Sequence, residues 1–142
     1  MIGLIIAAVS AAIVISGCGI KKPPVPPSAE TPRPVNDLTW KISENTLALR
    51  WTIPRLSKKE QYLTFMVYRS ATALTSPACA DCPKLFEKAG DIPIMDSGND
   101  KEPAKALFQE KLNKGYRYAY MVKGVTEKGV QGPDSNIVTF DF

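Results

Sequence analysis

"LNKGYRYAYMVKG", Leu112 to Gly124, is the stretch that decides the fold. Tyr116, Tyr118, Tyr120 and Val122 recur at every second position, and on an extended chain that spacing puts all four on one face. Rings in period-two alternation are read as one wall of a packed core rather than as a ligand box.

Outward from this strand the same period recurs. In "NTLALRWTIP", Leu47, Leu49, Trp51 and Ile53 share one face while Thr46, Ala48, Arg50 and Thr52 share the other, the pattern of a half-buried strand. In "YLTFMVYRS", Leu63, Phe65 and Val67 alternate with Thr64, Met66 and Tyr68, which is apolar enough on both sides for a central strand, with Tyr62 and Tyr68 on the outer face. "SNIVTFDF" closes the chain with Val138 and Phe140 in step, and "EKGVQGPDS" supplies a hairpin turn before it. Trp40 and Trp51 are expected in the core beside Tyr118 and Tyr120. No helix-length amphipathic pattern competes in this region, so the class is all-β, a sandwich of short strands broken by turns.

Composition limits the chemistry. The 142 residues carry 18 Lys+Arg against 14 Asp+Glu, a net +4 spread along the chain without the stripe of a nucleic-acid binder, so no nucleic-acid partner is expected. The chain has no histidine, which removes Ser/His and Cys/His nucleophile pairs, and it has no Gly-rich phosphate loop. Asp96, Asp100 and Glu102 in "MDSGNDKEP" lack the spacing of a calcium loop. The expectation is therefore no enzyme, no cofactor and no metal. Cys79 and Cys82 in "SPACADCPKLF" form a CxxC; a structural disulfide, free thiols, and redox or metal chemistry are all open to it. A single pair offers a metal only two ligands, and a thioredoxin-like role needs a βαβ setting that this sequence does not suggest.

The first seventeen residues carry no charged side chain and end in small residues, as a secretory signal does. Ile15-Ser16-Gly17-Cys18 resembles the lipobox of bacterial lipoproteins. The resemblance implies cleavage before Cys18, diacylglycerol on its thiol and an acyl chain on its amine; an uncleaved membrane helix from Met1 to Ile20 is the alternative. Gly19, where an aspartate would retain such a lipoprotein, implies the outer membrane. From Lys21 to Pro34 six prolines in fourteen residues predict a polyproline II stalk. "CGIKKPP", Cys18 to Pro24, also resembles the start of LptM-type outer-membrane lipoproteins, which implies an accessory role in assembling the lipopolysaccharide translocon through the acylated N-terminus.

The remainder resembles the fibronectin type III family. "PVNDL" and "LALRWTIP" are similar to its opening strand pair, through Leu38, Trp51 and Pro54, and Phe65-Met66-Val67-Tyr68-Arg69 is similar to its central strand. Leu112, Gly115, Tyr118 and Val122 match its sixth-strand motif. The resemblance implies an immunoglobulin-like seven-strand β-sandwich, with Tyr118 as a tyrosine corner bonded back to backbone near Leu112. The organisation expected is a signal peptide over 1–17, a lipid-anchored Pro-rich linker over 18–34 and a fibronectin type III-like domain over 35–142. Its implied function is protein binding or scaffolding in the cell envelope, on the periplasmic or surface side, through loops at one end. Those loops are "PRLSKKEQ" (54–61) and "TEKGVQGPDS" (126–135), with Lys58, Lys59 and Lys128 as partner-binding candidates.

Overall fold

The computed structural model describes residues 31–56, 61–76, 83–95 and 103–142. Among them run seven strands: β1 (Thr39–Ser43), β2 (Thr46–Thr52), β3 (Tyr62–Ala73), β4 (Glu87–Pro93), β5 (Lys105–Lys111), β6 (Tyr116–Thr126) and β7 (Val138–Asp141). They form two antiparallel sheets, one in the order β1-β2-β5 and one in the order β4-β3-β6-β7.

The alternation legible in β2 and β6 is what joins the sheets. Leu47, Leu49 and Trp51 of β2 are buried against Phe65 and Val67 of β3 and Tyr118, Tyr120 and Val122 of β6 in one cluster. Trp51 meets Phe65 edge-on at 5.6 Å between ring centroids, and Tyr120 stacks on Phe140 at 6.0 Å. β3 lies between β4 and β6, the central position its two apolar faces predict. Fully burying each of these side chains contributes about 1.5–3 kcal/mol, so the shared face of three strands supplies most of the drive to close the sandwich.

Three expectations fail, each for a local reason. Leu63 was expected inward and is 53% exposed, whereas Tyr62, expected outward, is buried. The β3–β6 register shifts between Tyr62 and Thr64, and this bulge reverses the facing of the strand's first residues. Trp40 is 44% exposed because β1 is an edge strand; its ring covers Phe140 at 4.5 Å and leaves its other side open. Tyr116 shares the parity of Tyr118 but is the first residue of β6 and is exposed.

The packed unit begins before Val35. Pro32 is fully buried, and a Cβ on Gly132 would fall 2.9 Å from its ring, so the glycine leaves the space that the proline fills. The Asn136 N–H donates to the Val35 carbonyl, and the Asn136 side chain bonds both the N–H and the C=O of Leu38. The incoming chain is thus fastened to the β6–β7 connection.

Candidate interaction surfaces

The fastening gives the sandwich a polarity. Pro32, Arg33 and Val35 contact Gly132, Tyr62 and Asn136, which places the incoming chain at the end where β2 leads into β3 and β6 leads into β7. Lys128 is exposed at this same end, in the β6–β7 connection. Lys58 and Lys59 fall in the β2–β3 connection but lie outside the described residues, as do Cys18, Cys79 and Cys82. Of the site residues read from the sequence, Lys128 alone is described, and it lies in the connection on which Pro32 and Val35 pack.

The opposite end is shaped by the tyrosine corner. The Tyr118 hydroxyl donates to the Asn113 carbonyl at 3.0 Å and accepts from the Asn113 N–H at 3.1 Å, with Leu112 buried just before it. The corner expected near Leu112 therefore forms, one residue along. It pins the β5–β6 connection, and the Leu74 N–H bonds the Gly115 carbonyl beside it. Leu74, Leu85 and Tyr116 are exposed here, Leu85 by 81%.

Next to these apolar groups is a cleft of about 300 Å³ lined by Arg69, Thr72, Pro83, Leu85 and Glu87 among others. Arg69 is held from the opposite sheet. Its Nη1 donates to Glu110 Oε2 at 3.3 Å, while Glu110 Oε1 accepts from the Tyr120 hydroxyl. Burial and the Glu110 carboxylate together push the Tyr120 phenol well above its ordinary range, so it stays a neutral donor. The triad fixes Arg69 at the cleft wall with its planar fork preorganised. Sequence reading passed over Glu110. Its signal was present, because Ala106, Phe108 and Glu110 fall in period two, and an acid continuing a core face calls for a partner.

On the outer face of the four-stranded sheet, charges are matched. Lys88 pairs with Asp91 at 2.7 Å, Arg117 with Asp141 at 2.6 Å, and Lys123 with Asp134 at 2.8 Å. The Arg117 guanidinium holds the Asp141 carboxyl below its usual range, first through the hydrogen bond and then through charge. Lys123 also lies 5.7 Å from the Tyr68 ring centroid, so Tyr68 is part of this surface and not of the core.

No family model matches the chain, and no curated protein is similar to it in sequence. Its fold has relatives among solved structures. The twitchin kinase region of C. elegans superposes with a TM-score of 0.55 at 11% identity, over 79% of this chain and 17% of that one. A multi-domain segment of titin gives 0.51 at 14% identity over 79% and 32%, and titin kinase with its flanking domains gives 0.51 at 15% over 77% and 16%. The chain thus spans less than a third of each of these proteins. The chain is an all-β sandwich of the immunoglobulin and fibronectin type, two antiparallel sheets closed over one aromatic core.

Proposed function

We propose that this chain is a lipid-anchored cell-envelope lipoprotein whose sandwich is a non-enzymatic protein-binding or scaffolding module, held at the outer membrane through Cys18 and a proline-rich stalk. The observation that carries the reading is the polarity of the domain. Pro32 to Val35 enter at one end, and the other end presents Leu74, Leu85 and Tyr116 beside a cleft walled by Arg69. Exposed apolar groups around a positioned arginine have the composition of an interface anchor. An end directed away from the tether is also the end a partner reaches without meeting the membrane. The CxxC of Cys79 and Cys82 falls in the β3–β4 connection, between Ser76 and Pro83, and in an oxidising envelope a structural disulfide there restrains the loop next to the cleft.

The test is site-specific photo-crosslinking in the host envelope, with the reactive group placed in turn at Leu85 and at Lys128. A discrete protein adduct from Leu85, lost on Arg69→Glu, supports the distal site. Adducts from Lys128 alone transfer the site to the loops beside the stalk. Function surviving removal of residues 35–142 overturns the module and leaves the acylated N-terminus as the acting part, the LptM-like alternative. Alkylation before and after reduction reads the disulfide: Cys79 and Cys82 should resist the reagent until reduced.

A further inference from the structure

The outer face of the three-stranded sheet is charged in a way that the other outer face is not. Its side chains follow from the register. Thr39, Arg50 and Leu107 form one cross-strand row; Lys41, Ala48 and Gln109 the next; Ser43, Thr46 and Lys111 a third; Thr52 and Lys105 a fourth. Leu47, Leu49, Trp51, Ala106 and Phe108 are buried in the core, so these intervening residues point outward. Each row contributes one cation, Arg50, Lys41, Lys111 or Lys105, and no row contributes an acid. All four cations are exposed, and among the described residues none of them is in an ion pair. Among the described residues, the acids next to these strands in sequence lie outside the rows. Asp37 precedes β1 with its carboxylate on the Thr52 N–H at 3.1 Å, and Glu44 is at the tip of the β1–β2 turn. Glu110 faces inward.

From this face we infer that the β1-β2-β5 sheet rests on the anionic phospholipid surface of the membrane that anchors the chain. The inference rests on the anchoring proposed above. Charge complementarity favours lipid over an acidic protein. The four cations are spread along about 20 Å of sheet, at one per row and about 7 Å between rows. They are accompanied by short Thr, Ser and Ala side chains and by Leu107, which is 44% exposed. Gln109 is the one carboxamide in the rows, and no row holds an acid to select a partner's geometry. Laterally mobile phosphates rearrange to meet a diffuse cation array, whereas a folded acidic protein needs matched positions. Leu107 is suited to a headgroup boundary. The tether adds to this, because a stalk that ends on the domain keeps the face at high effective concentration near its own membrane. The result is a recumbent domain with the ion-paired four-stranded sheet turned away from the lipid.

Lysine acetylation footprinting, held to less than about one modification per chain so that the face keeps its charge, tests the inference without a substitution. The full chain, purified from its host's membranes, is reconstituted in vesicles of phosphatidylcholine alone and of phosphatidylcholine with phosphatidylglycerol in equal parts. Acetylation of Lys41, Lys105 and Lys111 should be at least about fivefold slower on the anionic vesicles, while Lys88 and Lys123 react alike on both. The protection should vanish in about 1 M salt, where charges are screened beyond about 3 Å. Equal rates on the two vesicles overturn the inference, and if native membranes then protect the same lysines the occupant is an acidic macromolecule instead. Flotation with the neutral vesicles reports the anchor alone. Failure there overturns the anchoring, while the acetylation rates still decide what the face prefers.

Discussion

Tyr118 and Tyr120 stand two residues apart on β6, both buried, with hydroxyls in opposite situations. The Tyr118 hydroxyl closes the turn back onto Asn113, which is exposed, so water can repair part of the loss when the hydroxyl is removed. Tyr118→Phe should therefore cost about 1 kcal/mol in urea unfolding with the fold retained. A neutral result would mean that the corner adds nothing to packing. The Tyr120 hydroxyl instead faces a carboxylate, and its ionisation is pushed upward by burial first and by Glu110 second. An unfolded tyrosine ionises near pH 10.0, so above that pH the unfolded chain releases a proton that the folded chain retains. Stability from this group is then fully present below pH 10 and falls as the pH rises. Tyr120→Phe should flatten the alkaline limb of a stability-versus-pH curve, and an unchanged limb would contradict the assignment.

At the scale of the strand, Gly124 and Tyr62 form a matched pair. A Cβ on Gly124 would stand 2.4 Å from Tyr62 Cε1 and 3.1 Å from Phe65 Cε1, so the ring occupies the space of a side chain. Gly124→Ala should cost about 1–3 kcal/mol through overpacking. In a Tyr62→Leu background it should cost less than half as much, and equal costs in both backgrounds would show that the two positions are independent. The pair also shows where sequence reading stops. Nothing local to Gly124 says that a tyrosine some sixty residues earlier fills the space beside it. The bulge that turns Tyr62 inward is a property of pairing between β3 and β6, so period-two counting on β3 alone puts Leu63 inside. β2 and β6 were legible because Leu47, Leu49 and Trp51 of β2 and Tyr118, Tyr120 and Val122 of β6 are apolar in period two and buried. β4 and β5 were not, since β4 is an edge strand with no fully buried residue, and the inner face of β5 ends in Glu110. Cross-strand partners settle both, and a single sequence does not display them.

At the scale of the molecule, charge distribution matters more than charge total. The sequence gives a net +4 and no visible stripe, because Lys41, Arg50, Lys105 and Lys111 lie up to seventy residues apart and meet only through the β1-β2-β5 register. Of the two candidate loops only 54–61 is basic in sequence, because 126–135 sets Glu127 and Asp134 against Lys128. That Lys128 shares its connection with the contacts of Pro32 and Val35 follows from the packing of the incoming chain, which a single sequence does not display. Replacing Lys41 and Lys111 by glutamine should change the unfolding free energy by no more than about 0.5 kcal/mol, since both side chains are exposed and neither is in an ion pair among the described residues. The same double variant should lose the selectivity for anionic vesicles, and retention of that selectivity would remove the sheet face from the account. All of this depends on where the chain is held. The most direct measurement is the intact mass of the protein from its own host's membranes, beside a Cys18→Ser form. The account predicts a chain lacking Met1 to Gly17 and carrying diacylglycerol and an acyl chain, both absent from the variant. A full-length, unmodified mass would contradict it.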